Sequence, residues 1–430
     1  MPDWSPERVA AAAGATLATA PDHARPGPRR AAIDSRDAAP GDLFAGLVGE
    51  HVDGGRFAPD SLRAGAWGVL VGPAHAEAAT AAAAGAPDGV VLVADDPLAA
   101  LQRLATAWRR ELACPVVGVT GSVGKTSTKD LLAAMLAPAL RVRANRLNLN
   151  TEIGLPLTIL GAPRGTEALV LEMGMRGAGQ ISELAAIAQP DVGVITAIAP
   201  VHLEQLGTLE AIAAEKAALV AALPAGGTAV VPAGEALLAA HLRPALTTVT
   251  FGPGGDVDEA DLAGLELPFT AAHMRRNACA ALAAARALGV EPAGRVDVRL
   301  SELRGQRITL PGRITVINDC YNANPVSMRA ALDDLAASAG GRRVAVLGDM
   351  RELGPDEARF HEEIGRYARE RGVEVLVAVG PLSRAYAADH HLDTAADAAA
   401  LVPGLLHEGD TLLVKASRGI GLEAVAEALA

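Results

Sequence analysis

Aromatic side chains make up only 3% of this 430-residue chain, and it has just three cysteines. Cys114, Cys279 and Cys320 stand far apart, each in an apolar setting. That spacing excludes a disulfide framework and a zinc finger, and it leaves reduced core thiols. Positive charge is also scarce: 38 Lys and Arg stand against 50 Asp and Glu, a formal net charge of −12. A general nucleic-acid binder needs a basic stripe, so no nucleic-acid partner is expected. An anionic small molecule needs only a local positive site and stays open. No stretch reaches the ~18 apolar residues of a membrane span without a charge or a glycine break. The first residues, Met1-Pro-Asp-Trp-Ser-Pro-Glu-Arg-Val, include acidic groups and lack the apolar segment of a secretory signal. A cytoplasmic protein without a membrane span is expected.

Alanine is abundant, and half of the residues are hydrophobic. With so few aromatics, this composition reads as many closely packed helices, and the length suits two to four domains.

The stretch Gly118-Val-Thr-Gly-Ser-Val-Gly-Lys-Thr-Ser-Thr-Lys129 carries the strongest chemical signal. An apolar run, Pro115-Val-Val-Gly-Val119, reads as a buried strand, and Thr126 to Leu136 has the composition of a helix. A strand, a glycine loop with lysine and a helix make a phosphate cradle: N–H groups and the dipole at the helix N-terminus favour an anion. Gly121 and Gly124 let the backbone approach phosphates, with Ser122, Val123 and Ser127 beside them. Lys125 supplies charge to the outer phosphates, and Thr126 a hydroxyl for Mg²⁺. The loop departs from the usual pattern, which has glycine five residues before Gly124; Val119 stands there, and glycine appears at Gly121 instead. A nucleoside triphosphate is the expected ligand.

Alternating apolar runs and helical patterns divide the chain into three α/β domains. Residues 1–100 read as a small N-terminal unit with runs at Trp67-Gly-Val-Leu-Val71 and Gly89-Val-Val-Leu-Val-Ala94. Residues 101–310 hold the phosphate loop and runs ending at Glu172, Thr196 and Val231, the pattern of a mostly parallel, doubly wound sheet closed by a helix from Pro268 to Gly289. Residues 311–430 read as a second doubly wound, Rossmann-like domain with helices beginning near Pro325, Pro355 and Ala395.

Ligands of open α/β sheets sit beyond the carboxyl ends of the strands. Glu172 ends one strand and is placed to hold Mg²⁺. His202, with Glu204 as an alternative, follows Ile195-Thr-Ala-Ile-Ala-Pro200. Lys216 lies within a helical stretch from Glu210 to Leu223, where local spacing marks it only as a solvated lysine. Asp319 opens the polar turn Asp319-Cys-Tyr-Asn-Ala-Asn-Pro325, too polar for core. The loop Asp349-Met-Arg-Glu-Leu-Gly354 and the run Lys415-Ala-Ser-Arg418 add both charge signs at the same edge, which suits a zwitterionic substrate.

Taken together, Val119-Thr-Gly-Ser-Val-Gly-Lys-Thr-Ser127, Glu172-Met-Gly174, His202-Leu-Glu204, Glu215-Lys216, His273-Met-Arg-Arg-Asn277, Leu310-Pro-Gly-Arg313 and the two third-domain blocks resemble the Mur ligases, a family that includes folylpolyglutamate synthase. Asp319-Cys-Tyr-Asn-Ala-Asn-Pro-Val-Ser-Met328 and Leu347-Gly-Asp-Met-Arg-Glu-Leu-Gly354 look like those of members that add D-alanyl-D-alanine to a UDP-N-acetylmuramoyl tripeptide.

The resemblance implies an ATP-dependent amide ligase that works through an acyl phosphate. It implies Lys125, Lys216 and His202 as catalytic groups, with Lys216 carbamylated. Thr126, Glu172, His202 and Lys216 would hold two Mg²⁺ ions. Asn277 would contact adenine, and Arg313 and Asp319 would reach the nucleotide from the third domain. Ser35 and Arg36 would lie near the UDP moiety. The run Asn148-Leu-Asn-Thr-Glu-Ile-Gly-Leu-Pro156 departs from the family's paired asparagines, leaving Asn150 and Thr151 as candidates for the sugar-peptide. Tyr321, Asn322, Asn324, Asp349 and Glu352 are the third-domain candidates. A monomer that closes around its substrates is expected. The competing readings are another amino-acid ligase of the same family or a folylpolyglutamate synthase, against both of which the Asp319 to Met328 block argues, a regulatory phosphate-loop NTPase, and a nucleotide-binding scaffold without turnover.

Overall fold

A computed structural model describes residues 1–430 except 22–24, 87, 147 and 202. Among the described residues the chain forms three α/β units, each on its own sheet. The first sheet has five strands; Thr16–Thr19 runs antiparallel to Val90–Val93 at one edge, and the other pairs are parallel. The second has six strands, all parallel, with Val116–Thr120 at its middle between Ala168–Glu172 and Val192–Ile195. The third also has six; Gln306–Leu310 is its antiparallel edge, followed by Ile314–Asn318, Thr411–Lys415, Arg343–Gly348, Val375–Val379 and His390–Leu392. The middle strands are buried on both faces, as parallel sheets covered by helices require.

The helix Pro97–Leu112 joins the first unit to the second. Asp96 caps it by accepting the Ala99 N–H at 3.0 Å, and Pro97 begins it where no N–H is needed. Its buried positions, Pro97, Ala100, Leu101, Leu104, Ala105 and Trp108, recur at helical spacing and form one stripe. The expected boundary at residue 100 therefore falls inside a continuous helix. The boundary at 310 also moves: it cuts the hairpin between Gln306–Leu310 and Ile314–Asn318, so the third sheet begins at 306. The helix expected from Pro268 begins at Ala272 and ends at Ala287, with 268–271 as loop. No helix among the described residues is long and apolar enough to cross a membrane.

Candidate active site

The phosphate loop leaves the carboxyl end of the middle strand. Val119 still belongs to that strand, in register with Glu172 on one side and Val194 on the other. This explains the missing glycine: the strand continues to Thr120, and the chain first needs a glycine at 121. Gly121 has φ 146°, and a Cβ there would run into Thr196 Oγ1; Gly124 has φ 82°, and a Cβ there would run into Asn277 Oδ1.

The segment after the neighbouring strand locks the loop. Ser122 N–H donates to the Ala197 carbonyl at 2.8 Å, and Ser122 Oγ accepts from the Ala199 N–H at 2.9 Å. Thr196 Oγ1 donates to the Val123 carbonyl at 2.6 Å. Lys125 Nζ donates to the Gly121 carbonyl at 2.7 Å. Burial lowers the Lys125 ammonium from its ordinary range; Glu172 opposes that shift, and Arg304 adds to it.

Glu172 is 2% exposed at the end of its strand. One carboxylate oxygen accepts from Asn150 Nδ2 at 2.8 Å; the other is buried with no hydrogen-bond partner. Thr126 Oγ1 is likewise buried without a partner. Two hard oxygen donors, each with an unused lone pair, fit Mg²⁺. No cluster of three His, Cys, Asp or Glu suited to a metal occurs among the described residues. His202, expected as a ligand, lies outside the described residues.

Lys216 is the clearest correction to local reasoning. The helix Leu209–Ala221 buries it to 1% exposure, and Nζ has the Met175 sulfur at 3.7 Å. Burial holds its ammonium well below the ordinary lysine range, and the charge on Lys125 pushes the same way.

Across from the loop lies the carboxyl edge of the third sheet. Asp319 Oδ2 accepts from Lys415 Nζ at 2.6 Å, and the same lysine donates to the Asn322 carbonyl at 2.8 Å. The Arg304 guanidinium stacks 4.0 Å from the Tyr321 ring centre. A cleft of about 1250 Å³ separates the two edges, and its lining includes residues 122–127, Asn150, Thr151, Glu172, Asn277, Asp319, Tyr321, Asn322, Asn324 and Glu352. That lining carries eight Lys or Arg and five Asp or Glu, the reverse of the chain's acidic balance. The acidic protein thus keeps a local positive site suited to phosphates.

Other expected residues are placed elsewhere. Arg313 is outside the cleft lining, 85% exposed, and pairs with Glu408 at 3.3 Å. Its positive φ of 58° sits in the tight turn Pro311–Arg313, which points the chain back into the sheet. Arg304 and Arg307 line the cleft instead. They sit just upstream, where no strand end marks them in the sequence. Asp349 is 1% exposed and spends its carboxylate on the Ser383 N–H at 2.8 Å. Asn324 touches the cleft, but its Oδ1 caps the helix Pro325–Ser338 by accepting the Ser327 N–H at 2.9 Å. Thr151 Oγ1 accepts the Gly154 N–H at 3.5 Å. Ser35 and Arg36 lie in the first unit, where Arg36 Nε donates to Asp34 at 2.9 Å, away from the cleft lining. Thr196 was missed by sequence reasoning, although its place at a strand end was a usable signal.

Comparison with known proteins decides the family. The Mur ligase middle domain matches residues 119–285, and the Mur ligase, glutamate ligase domain matches 303–418. A UDP-N-acetylmuramoyl-tripeptide--D-alanyl-D-alanine ligase of Synechocystis is 37% identical over 420 residues, covering 92% of this chain and 90% of that protein. The chain belongs to the Mur ligase family. The ligase of the same name from Mycobacterium tuberculosis is 38% identical over 465 residues, covering 92% and 91%. A crystal structure of MurF from Acinetobacter baumannii superposes on this Mur ligase with a TM-score of 0.86 at 28% identity, covering 100% of this chain and 99% of that one. A MurF ligase from Thermotoga maritima in complex with ADP gives 0.81 at 27% identity, covering 93% and 97%.

Proposed function

We propose that this Mur ligase joins D-alanyl-D-alanine to UDP-N-acetylmuramoyl-tripeptide at the expense of ATP, in cytoplasmic synthesis of the peptidoglycan precursor. The observation that carries the reading is a cleft with a phosphate cradle on one wall and a polar, two-signed edge on the other. In the reaction, the tripeptide carboxylate attacks the γ-phosphorus and ADP leaves. The dipeptide amine then attacks the acyl carbon of the acyl phosphate, loses a proton, and displaces phosphate.

Phosphoryl transfer of this kind depends on positioning and charge neutralisation. Lys125 and the N–H groups of residues 123–126 hold the phosphates. Asn277, packed against Gly124, would contact the base, and Asp319 would reach in from the third unit. Thr126 and Glu172 would hold Mg²⁺, which supplies charge neutralisation at the transferred phosphoryl group. Lys216, taking up CO₂ with loss of a proton, would present a carbamate in place of an amine; its burial beside a thioether supports this. Together with His202, that carbamate would serve a second ion. The first unit takes the UDP end, with Ser35 and Arg36. Asn150 and Thr151 face the sugar-peptide; Tyr321, Asn322 and Glu352 face the dipeptide. The working form is a monomer.

Phosphate release measured with ATP should require both the tripeptide and the dipeptide. Lys216→Ala should abolish it, and short-chain carboxylic acids should restore part. Release that ignores the amine acceptor, or indifference to Lys216→Ala, would favour a switch-type NTPase instead.

A further inference from the structure

The loop 349–354 brings Glu352 to the cleft with a positive φ of 65°, a conformation that a non-glycine residue holds only where its surroundings over-determine it. Four anchors do so. The Met350 N–H donates to His361 Nε2 at 2.9 Å, and the Arg351 N–H to Ser417 Oγ at 3.0 Å. The Ser417 N–H donates to the Asp349 carbonyl at 3.0 Å, and the Tyr386 hydroxyl to the Gly348 carbonyl at 2.9 Å. Met350 and Leu353, on either side of the turn, are buried at 0% and 1% exposure.

Of these anchors, His361 is the one whose chemistry is most constrained. It is fully buried in the helix Glu357–Glu370, and its ring centre lies 5.0 Å from that of Tyr386. Nδ1 faces the Glu357 carbonyl at 2.7 Å and must donate to it, so Nε2 must carry the lone pair that accepts from Met350. Both ring nitrogens are thus spent on backbone, in one tautomer of the neutral ring. Burial lowers the imidazolium from its ordinary range, which agrees with that assignment.

We propose that His361 is a positioning residue for the dipeptide subsite: it holds the backbone turn that presents Glu352 to the incoming ammonium group. This rests on the ligase reading above. His361 does not itself face the cleft lining; it acts through the Met350 N–H.

The ring has two functions that can be separated. Glutamine places a terminal oxygen where Nε2 lies and keeps the acceptor for Met350. Asparagine keeps a donor near Nδ1 but has nothing at Nε2. The full chain is assayed twice. The first half-reaction is read as the hydroxamate formed when hydroxylamine traps the acyl phosphate from ATP and tripeptide without dipeptide, using both the meso-diaminopimelate and lysine tripeptides. The whole reaction is read as KM for D-alanyl-D-alanine.

H361N should raise the dipeptide KM about tenfold, the scale of one orphaned buried N–H, and leave hydroxamate formation within about twofold of the parent. H361Q should restore KM. Equal loss in both assays, or H361Q as impaired as H361N, would overturn the proposal. If H361N does not fold, Y386F, which removes the donor to the Gly348 carbonyl at a residue outside the cleft lining, must show the same split; its absence also overturns the proposal. A parent enzyme that forms neither hydroxamate nor ligated product would remove the ligase reading itself, a result distinct from either.

Discussion

The two joints between the three units are built in opposite ways. The first is dry. A single apolar cluster runs from Met1 and Trp4 through Trp67, Leu70 and the helix Pro97–Leu112 to Leu155, Leu184 and Leu219, spanning both units. Trp108 sits at its centre, edge-on to Trp4 at 5.5 Å, with its indole N–H donated to the Ala162 carbonyl at 2.9 Å. The second joint is wet. The third unit has its own two apolar clusters, and the polar-lined cleft occupies most of what separates it from the phosphate loop. Leu203 is a bridging apolar side chain, packed partly buried against both the first cluster and one cluster of the third unit. The bond pair from Ser301 to Asp130, at 2.9 and 2.8 Å, holds the linker. Burying apolar area welds units together; a polar interface permits relative motion. On that contrast the first two units are expected to move as one body, with closure left to the third.

The largest test of this contrast is thermal. Trp108→Ala removes a fully buried indole and should cost about 3–5 kcal/mol. It should lower one transition that unfolds the first and second units together and leave the third unit's transition in place. Leu335→Ala, in the third unit's core, should do the reverse. The tryptophans make the reading direct, because Trp4, Trp67 and Trp108 all lie in the first cluster. Fluorescence should follow only the first transition, and calorimetry both. Separate melting of the first and second units would break the comparison.

A smaller effect should appear in solution scattering. Adding a non-hydrolysable ATP analogue with tripeptide should reduce the radius of gyration as the third unit closes, sealing the acyl phosphate from water. Tryptophan fluorescence should stay unchanged over the same titration. No compaction would argue that the wet joint is as rigid as the dry one.

The same contrast explains what could be read from the sequence. The inner strands of the second and third sheets were legible because burial on both faces leaves continuous apolar runs, as in Ala168–Glu172 and Arg343–Gly348. The edge strands Thr247–Phe251 and Gln306–Leu310 were not. Each is only half buried and mixes polar with apolar residues, so neither shows such a run. The phosphate loop was legible because its chemistry is local. Lys216 was not, because its burial depends on the strands and loops packed around its helix, and only the family resemblance singled it out. Asp349 shows the opposite failure: a carboxylate after a strand looks functional, yet tertiary structure turns it inward onto Ser383.

The arginines at the wet joint give the finest test, since they ask which groups closure delivers to the nucleotide. Arg313 matched a family block, but its guanidinium is 85% exposed and pairs with Glu408, itself 69% exposed. Such a pair contributes about 0–1 kcal/mol. Arg307 lies on the edge strand facing the cleft, braced by Asp334 at 2.7 Å and Ser338 at 3.2 Å. That brace uses one guanidinium nitrogen and leaves the other N–H groups of the fork available to a phosphate in the cleft. Arg307→Ala should therefore raise the KM for ATP about tenfold, the scale of one charged hydrogen bond. Arg313→Ala should leave it within about twofold. The reverse ranking would mean that closure rotates the third unit far enough to bring the turn Pro311–Arg313 into the cleft.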